Sequence, residues 1–522
     1  MEQFPLISGF GEHRFSESQE GETEAVSLAS CRLDMAAVER IPYETARKYH
    51  VIAVGKEGEA LLVAMDDPAN FYAADAVSLA VDGPVKYVTA PREEIDSAIE
   101  ECYAEIEARS AVQAANKAVS GSGRQSAGRG GQDEADEGDT APVVRLLNSL
   151  LVRGYKANAS DIHIEPRKDA LMVRMRIDGL LQEFTRLEKK LQMPLTARIK
   201  VLAGMDIAEK RLPQDGHFKS VLSGMEMDIR VSTVRSVFGE NVVLRFLNTD
   251  MTVDREDMLG MDRENYEKVL RILRHSHGLL YITGPTGSGK TTTLYMILRR
   301  LVREPVNVMT IEDPVERNID GANQIQVNSQ AGLTFENGLR AVLRQDPDVI
   351  MVGETRDTQT ARISVRAAIT GHLVLSTLHT NDAVGAITRM KDMGVEPFLV
   401  TNSLAGVVAQ RLVRKICPRC GRSVGVREEE QAVLGERLET VRRGSGCYYC
   451  GHTGYKGRIA VHEVFVMDRA LREMILAGRP EEEMREYVRK HQQMTTLKEN
   501  LLGLVRDGVT TVEEFVRLTY GE

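Results

Sequence analysis

The hydrophobic and polar positions along the chain change their spacing between one stretch and the next. Residues 1–117 hold short apolar runs at 60–65 and 85–88, separated by helical patterns such as the one at 93–106. Residues 142–250 begin with helical spacing at 143–153 and continue with an alternating run at 171–177 that turns at Asp178-Gly179. These patterns predict two mixed α/β modules in succession.

From about residue 264 the pattern becomes a regular alternation of helices and short apolar strands. The predicted strands are 279–283, 306–311, 349–352 and 373–376, and helical patterns stand between them. Strands that alternate with helices predict a mostly parallel sheet. The end of the chain beyond residue 465 is predicted to be helical, and its last helix to begin at a capping box from Thr511 to Glu514.

The clearest boundary is the segment 118–141, AVSGSGRQSAGRGGQDEADEGDTA, where Gly, Ser and acidic residues replace any hydrophobic periodicity. Such a composition buries little apolar surface and is typical of a flexible linker. We therefore predict that it separates the first module from the rest of the chain.

Length and composition narrow the class of protein. With 522 residues, of which 42% are hydrophobic, the chain is expected to form two to four domains. Its formal charge is −9, from 67 basic and 76 acidic residues, which argues against a general nucleic-acid binder. The sequence shows neither a signal peptide nor an apolar run long enough to span a bilayer, so a cytoplasmic protein is expected.

The segment LLYITGPTGSGKTTTLY contains the pattern G-x-x-x-x-G-K-[ST] between an apolar strand and a helix-forming stretch. In this setting glycines let backbone N–H groups surround phosphate oxygens, the lysine adds charge and the hydroxyl after it binds Mg²⁺. The sequence therefore predicts a site for ATP and Mg²⁺, with Lys290 also in a catalytic role and Thr291 as the magnesium ligand. The predicted nucleotide-binding residues are Gly284, Pro285, Thr286, Gly287, Ser288, Gly289, Lys290, Thr291 and Thr292.

Acidic residues follow two later strands. Glu312 and Asp313 end the run before Pro314, and Glu354 follows the apolar stretch 349–352, as in a Walker B strand with Gly353 in place of the usual aspartate. Because ligands bind at the carboxyl ends of parallel strands, Glu312 and Asp313 are predicted to order Mg²⁺ or a water. Glu354 is predicted to polarise the attacking water. The alternatives are solvated loop acids at 312 and 313, and an ion pair between Glu354 and Arg356.

Three further residues are candidates by position. His379 follows the strand 373–378 and is predicted to sense the γ-phosphate, although a single histidine is more often structural. Arg340 and Arg344 are four residues apart on one face of a predicted helix. They either reach phosphates across a subunit boundary or pair with surface acids.

Four cysteines have the spacing C-x2-C, 26 residues, C-x2-C, at Cys417, Cys420, Cys447 and Cys450. A knuckle of this spacing brings two thiolates to one tetrahedral Zn²⁺, and four sulfur ligands leave no open catalytic position. The sequence predicts a structural zinc site, with metal-free thiols or a redox pair as alternatives.

Together these motifs resemble those of the secretion and pilus-assembly ATPase family, the hexameric motors of type II secretion and type IV pili. The resemblance covers residues 141–522 and includes TIEDPVE, LRQDPDVIMVGE, STLHTNDA and the cysteines. ASDIHIEP at 159–166, RIDG at 176–179 and MDIAEKRLPQDG at 205–216 are also similar.

The resemblance implies a multidomain α/β architecture. Residues 1–117 would be a docking domain, 118–141 a flexible linker and 142–250 a PAS-like α/β domain. Residues 251–522 would be a RecA-like P-loop ATPase domain with C-terminal helices and a zinc subdomain at 413–458. It also implies that Arg230 and Arg245 reach from the middle domain toward ATP phosphates. His217 and Asn241 stand where the family often has arginine, which puts some interface contacts in doubt.

The predicted function is a hexameric ATPase that drives assembly of a type II secretion pseudopilus and so protein export across the outer membrane. Its implied partners are an inner-membrane platform protein and the cytoplasmic domain of a membrane-anchored secretion protein, so that it lies peripherally at the inner membrane. Pilus extension stays open. A DNA-translocating motor, which the acidic balance opposes, and a nucleotide-gated scaffold with little hydrolysis are the competing hypotheses.

Overall fold

A computed structural model describes residues 25–28, 31, 33–121, 137–247, 260–303 and 305–520. These residues divide into two units. One comprises the described residues up to Glu107 together with Gly446–His452, and the other comprises Ala108–Ser445 and Thr453–Glu522. Among the helices of these residues, none is long and apolar enough to cross a membrane.

The N-terminal part of the first unit is a small α/β fold. Its three-stranded sheet has the order β1-β2-β3, with β1 antiparallel and β3 parallel to β2. Buried residues such as Ile52, Val63 and Ile95 form its core. The elements are α1 (Met35–Val38), α2 (Tyr43–Tyr49), β1 (Val51–Glu57), β2 (Ala60–Met65), α3 (Phe71–Ala80), β3 (Val85–Thr89) and the first part of α4 (Arg92–Gly121), which belongs to the second unit from Ala108 onward. The predicted α/β module is confirmed.

The second unit begins with two helices on a six-stranded antiparallel sheet of order β6-β5-β4-β9-β8-β7. Strand residues such as Ile162 and Val173 are buried with Leu147 of the first helix, so this face carries the core. The elements are α5 (Glu137–Lys156), β4 (Ala159–Pro166), β5 (Ala170–Ile177), β6 (Leu180–Glu188), α6 (Gln192–Leu202), β7 (Gln214–Leu222), β8 (Met225–Ser236) and β9 (Gly239–Leu247).

A seven-stranded sheet of order β12-β11-β13-β14-β10-β15-β18 follows. All neighbouring strands are parallel except β15 and β18, which form an antiparallel pair. The elements to its last strand are α7 (Arg263–Leu273), β10 (Gly278–Thr283), α8 (Lys290–Leu301), β11 (Val308–Glu312), β12 (Ala322–Gln326), α9 (Phe335–Val342), β13 (Val349–Val352), α10 (Thr358–Ile369), β14 (Leu373–Leu378), α11 (Gly385–Asp392), α12 (Pro397–Ser403), β15 (Leu404–Ile416), β16 (Gly421–Gly425), α13 (Glu428–Leu434), β17 (Thr440–Gly444) and β18 (Tyr455–Val466). The predicted parallel sheet is confirmed.

Both faces of the central strands are covered, because β10, β11, β13 and β14 are buried along their whole length. This explains why these strands appear in the sequence as continuous apolar runs rather than as an alternation. Polar functional groups are therefore found at or just after the carboxyl ends of these strands.

Four helices close the chain, as predicted: α14 (Arg469–Leu476), α15 (Glu481–His491), α16 (Leu497–Arg506) and α17 (Val512–Tyr520). Only half of the predicted capping box is present. The Glu514 N–H donates to Thr511 Oγ1 at 3.3 Å. The Glu514 carboxylate instead accepts from the Arg414 N–H at 2.9 Å and from the guanidinium of Arg517.

The predicted linker 118–141 overlaps two helices at its ends, since α4 extends to Gly121 and α5 begins at Glu137. Its central residues, 122–136, lie outside the described residues. The structure therefore leaves the flexible linker as a prediction.

Candidate functional site

The phosphate loop connects the end of β10 to the start of α8. Gly284, Gly287 and Gly289 have φ angles of 148°, 81° and 85°, a region that side chains disfavour. A Cβ at Gly284 would meet the Gln410 carbonyl oxygen at 2.4 Å and Ser288 Oγ at 2.5 Å. Ser288 Oγ is buried and has no hydrogen-bond partner among the described residues. The loop thus has the closely approached backbone and the free polar atom that suit a phosphate site.

Lys290 folds back over this loop. Its Nζ donates to the carbonyl oxygens of Gly284 at 2.7 Å and of Pro285 at 3.0 Å. Burial lowers the pKa of Lys290 to about 8; the nearby Glu354 carboxylate acts in the opposite direction and Arg411 in the same one. The lysine therefore lies in a partly desolvated position beside the acid that was predicted to act on water.

Glu354 follows β13 and meets the histidine that follows β14. His379 Nε2 lies 2.8 Å from Glu354 Oε1, and the Arg356 guanidinium lies 2.7 Å from Glu354 Oε2. Burial opposes ionisation, but the Arg356 hydrogen bond and the charges of Arg356 and His379 hold the pKa of Glu354 below its usual value. The structure thus contains both the ion pair that was the alternative for Glu354 and the cluster with His379 and Lys290 that favours a catalytic role.

Glu312 is placed differently from a solvated loop acid. Only 3% of it is exposed. Its carboxylate accepts hydrogen bonds from the hydroxyl of Tyr295, from Thr310 Oγ1 at 2.6 Å and from Gln324 Nε2 at 3.0 Å. Desolvation and the neighbouring carboxylate raise the pKa of Tyr295, which keeps this phenol a donor. Glu312 is thus held on the strand by a buried network that also ties α8 to β12.

Asp313 acts electrostatically on Arg356, and the two helical arginines make contacts of their own. The charge of Asp313 contributes to the raised pKa of Arg356, after the larger effect of Glu354. On α9, Arg340 pairs with Glu336 at 3.0 Å, and an Arg344 guanidinium N–H donates to the Arg340 carbonyl oxygen at 2.9 Å. Within this chain Arg340 thus has the contact of the alternative, an ion pair with a surface acid, whereas Arg344 contacts a backbone carbonyl instead.

The outward face of the six-stranded sheet carries a row of charged residues. Strand pairing places Arg176, Asp161, Arg245, Arg230 and His217 directly beside one another on β5, β4, β9, β8 and β7. Asp161 is 4% exposed. Its Oδ1 lies 2.7 Å from Arg245 Nε and its Oδ2 3.5 Å from Arg176 Nε. We call these five residues the charged row.

The charged row lies near the helix that follows the phosphate loop. Arg245 lines a cavity of about 180 Å³ together with Thr291, Thr292, Tyr295 and Glu316. Burial raises the pKa of Glu316, and the charges of Arg230 and then Arg245 act in the opposite direction. Two guanidiniums of the antiparallel sheet therefore lie within electrostatic reach of the TIEDPVE segment.

His217, at one of the positions that departs from the family pattern, has a local partner. Its Nε2 lies 2.6 Å from Asp228 Oδ1 on the neighbouring strand β8. The other departure, Asn241, is half-buried on β9 opposite Val234. His217 therefore keeps a polar place in the charged row, but its ring is engaged by Asp228.

The four cysteines come together as their spacing predicts. Their sulfur atoms all lie within 4.8 Å of one another, and all four residues are buried. The two sulfurs of Cys447 and Cys450 are 3.8 Å apart, close to the spacing expected in a tetrahedral Zn–S₄ site with bonds of about 2.3 Å. The donor set thus fits one zinc ion with no open position.

Comparison with known proteins decides which family combines these features. A profile of the type II/IV secretion system protein family matches residues 136–517, and one of the MshEN domain matches residues 22–109. This chain belongs to the type II/IV secretion system protein family. The type II secretion system protein E of Aeromonas hydrophila is 47% identical over 391 residues, which are 74% of this chain and 78% of that protein.

A second group of relatives within this family carries another name. The type IV pilus assembly ATPase PilB of Myxococcus xanthus is 40% identical over 500 residues, or 94% of this chain and 88% of that protein. Among solved structures, the Legionella pneumophila ATPase DotB matches with a TM-score of 0.53 at 22% identity, over 72% of this chain and 95% of that one. These matches confirm the predictions of family, of an α/β fold and of a secretion ATPase.

Several residues of the site were missed by the sequence reasoning. Tyr295 and Gln324 hold Glu312, and Asp161 holds Arg245. Asp161 alternates with apolar residues in a strand, which is also the ordinary place for a surface charge. A detectable signal existed at Gln410 and Arg411, because these two long polar residues interrupt the apolar run of β15.

Proposed function

We propose that this chain is the hexameric motor that powers assembly of a type II secretion pseudopilus, and so protein export across the outer membrane. The observation that carries the proposal is the meeting of Glu354 and His379 beside Lys290, where three strand ends of the parallel sheet converge. Hydrolysis of a terminal phosphate requires a loop that binds the phosphates and a charged group that orients and polarises the attacking water.

The chain's own residues divide the work of this reaction. Backbone N–H groups of the loop bind the phosphates of ATP, and Lys290 neutralises their charge. Thr291 and Asp313 are the groups that would hold Mg²⁺, which when bound offsets charge on the phosphate oxygens. Glu354 orients and polarises the attacking water, and His379 keeps the carboxylate in place from the neighbouring strand. Glu312, held by its buried network, supports the strand end beside them.

The charged row would couple the state of the nucleotide to movement of the six-stranded sheet. When nucleotide binds, Arg230 and Arg245 would move from Glu316 to the phosphates. After hydrolysis they would lose their interaction with the terminal phosphate. Because they belong to the six-stranded sheet, their movement would convert the state of the nucleotide into displacement of that sheet. In a hexamer, Arg340 and Arg344 would act across the subunit boundary.

Partners and location follow from the same proposal. The residues up to Glu107 dock on the cytoplasmic domain of a membrane-anchored secretion protein, and the motor drives an inner-membrane platform protein. The chain is then cytoplasmic and peripheral at the inner membrane. Zinc bound by the four cysteines fixes the segment between β15 and β18 without taking part in catalysis.

Turnover is the first test. Purified full-length chain is expected to hydrolyse ATP only with Mg²⁺, to form hexamers by light scattering and to contain near one equivalent of zinc. Nucleotide binding and assembly without turnover, in the presence of membranes that hold the secretion apparatus, would favour the scaffold. Stimulation of turnover by DNA in a salt-dependent manner would favour a translocating motor instead.

Pilus extension is the second candidate, and one observation favours it. The Myxococcus xanthus pilus ATPase matches 94% of this chain, whereas the type II secretion protein of Aeromonas hydrophila matches 74%. Photo-crosslinking from Phe71, an exposed residue of α3, in the full-length chain in cells separates the two functions. Capture of a pseudopilus-system membrane protein supports type II secretion, and capture of a pilus-system protein supports extension.

A further inference from the structure

Gln410 is a buried amide at the base of the phosphate loop. It lies on β15, next to the position where that strand pairs with Thr283, the last residue of β10. None of its surface is exposed. The first eight residues of β15 are all buried, and a buried amide is costly unless both of its ends are hydrogen-bonded. The partners of this amide therefore indicate what it is for.

Both ends of the amide bond to the loop and its helix. Gln410 Nε2 donates to the Ser288 carbonyl oxygen at 2.8 Å, and Thr293 Oγ1 donates to Gln410 Oε1 at 2.7 Å. The two anchors flank residues 289–292, which include Lys290 and Thr291. One side chain thus spans the segment that carries the lysine and the predicted magnesium ligand.

The hydrogen bond from Gln410 to the Ser288 carbonyl determines the orientation of the Ser288–Gly289 peptide group. The carbonyl oxygen of Ser288 and the N–H of Gly289 belong to the same planar trans peptide, so they point in opposite directions. Because the oxygen is turned to Gln410, the Gly289 N–H is turned away from β15. Outward backbone N–H groups are the donors with which such loops bind phosphates.

The glycines show how close this approach is. A Cβ at Gly289 would lie 2.8 Å from Gln410 Nε2, and a Cβ at Gly284 would lie 2.4 Å from the Gln410 carbonyl oxygen. Both glycines have positive φ angles. The loop thus rests on Gln410 near both of its ends, which leaves the Ser288–Gly289 peptide little freedom to turn over.

We propose that Gln410 is a positioning residue, which holds the Ser288–Gly289 peptide in the orientation that presents the Gly289 N–H to the nucleotide. The proposal rests on nucleotide binding by this loop, and it assigns Gln410 no contact with the reacting atoms. Its expected signature is a change in affinity for ADP as well as for ATP, because the peptide faces phosphates that both nucleotides have.

Replacement of Gln410 by Met keeps the length of the side chain and removes both hydrogen bonds. We expect the Kd for ADP and the KM for ATP to rise about tenfold, the loss that corresponds to about 1.4 kcal/mol of binding. The matched control is Gln492→Met. The side-chain amide of Gln492 also bonds through both of its ends to this sheet. It donates to the Val466 carbonyl at 2.8 Å and accepts from the Val466 N–H at 3.0 Å. Val466 lies on β18 and not in the phosphate loop.

The control separates positioning from general stability. Gln410→Met loses two hydrogen bonds, and Gln492→Met loses three, because Gln492 Nε2 also donates to Asp468 Oδ2 at 2.7 Å. Both variants are therefore expected to lower the midpoint of thermal unfolding, and only Gln410→Met should weaken ADP binding. Equal ADP affinity in Gln410→Met and the wild type would overturn the proposal. So would a loss of affinity that Gln492→Met shares. Failure of the wild-type chain to bind ADP would instead contradict the nucleotide site itself.

Gln410→Glu adds a readout that a structural role would not change. A protonated Glu side chain can still donate to the Ser288 carbonyl, whereas an ionised one places a second oxygen against it. His462, opposite Gln410 on β18, is neutral near pH 7 because burial lowers its pKa to about 4. Lys290 in the same loop, with a pKa lowered to about 8 by burial, loses charge at higher pH in the wild type as well, so the variant is compared with the wild type at each pH. We expect the ADP affinity of this variant, relative to wild type, to fall as rising pH ionises the introduced carboxyl, and an unchanged ratio would count against the proposal.

If Gln410→Met does not fold, Thr293→Val provides the test. This change removes the donor to Gln410 Oε1 and leaves the bond to Ser288, so a smaller loss of about threefold in ADP affinity is expected. A loss of tenfold or more would assign the effect to the helix rather than to the peptide, and would overturn the proposal.

Discussion

The two sheets of the second unit present functional groups in different ways. In the seven-stranded sheet the central strands are buried throughout, and the loop, Glu354 and His379 follow three of them, β10, β13 and β14. In the six-stranded sheet the charged row stands within the strands, on the face opposite the core. The first site is thus built at strand ends, and the second by strand register.

The difference affects how the side chains are held. Groups at the ends of parallel strands converge on one edge, and their neighbours include loop backbone. The charged row is held by pairs of side chains, and in one of them the buried Asp161 forms an ion pair with the more exposed Arg245. We therefore expect changes at the strand ends to affect the chemical step most, and changes in the charged row to be coupled to one another.

Glu354→Gln is expected to have the largest effect. It keeps the shape of the side chain and removes the charge that polarises water, so kcat should fall at least about 100-fold. ATP should still bind and accumulate unhydrolysed in the assembly, as measured by single-turnover assays and filter binding. Glu336→Gln, which changes a carboxylate on the outer helix α9, is the control. Unchanged turnover in Glu354→Gln would remove the hydrolytic role from the strand ends.

Arg245→Ala tests the other side of the comparison. Loss of a guanidinium that stabilises transition-state charge should lower kcat/KM by about 10- to 100-fold. The structural disturbance should be small, because the side chain is 61% exposed. Circular dichroism and the thermal midpoint check the fold. An unchanged kcat/KM would contradict the proposed role of the charged row.

Asp161→Asn should have a smaller effect that depends on Arg245. It retains an acceptor for the Arg245 Nε–H but loses the charge, so we expect a loss of about threefold to tenfold in kcat/KM. In the Arg245→Ala background the same change should add nothing, as a double-mutant cycle would show.

Glu165→Gln is the matched control for Asp161→Asn. Glu165 lies on the same strand and the same face, but it pairs with Arg167 and Arg174. It should therefore leave kcat/KM within about twofold. Additive effects of Asp161→Asn and Arg245→Ala would show that Asp161 does not act through this arginine.

Arg340→Ala is expected to have the smallest effect. Its ion pair with Glu336 lies on an exposed helix, and such pairs contribute about 0.5 kcal/mol or less. Turnover of dilute, unassembled chain should change less than about twofold. A loss larger than fivefold that appears only in the assembled protein would instead place Arg340 at a subunit boundary, and would make the outer helix part of the site.

The order of the motifs already predicted much of the first site. The strand before Gly284, the strand before Glu354 and the strand before His379 were each recognisable as apolar runs, and parallel strands bring their ends together. The alternatives for Glu312 were not resolvable in the same way. Its burial depends on Tyr295 and Gln324, which are distant in sequence and belong to a helix and to the edge strand β12.

The second site was accessible only through the family resemblance. Arg230 and Arg245 occupy ordinary positions in alternating strands, and no local signal distinguishes them from surface charges. Their neighbours are set by the register of β4, β8 and β9, which a shift of one residue would invert. The same holds for Gln410, whose polar character within a buried strand was visible but whose bond to Ser288 was not.

The sequence by itself determined the alternation of strands and helices, the phosphate loop and the spacing of the four cysteines, because each depends on residues close together in the chain. Tertiary structure alone decided that Asp161 holds Arg245, that Glu312 is buried and that Gln410 supports the loop. These contacts join residues 17 to 122 positions apart. Local periodicity carries no information about pairing over such separations, because packing and strand register settle it only when the whole fold has formed.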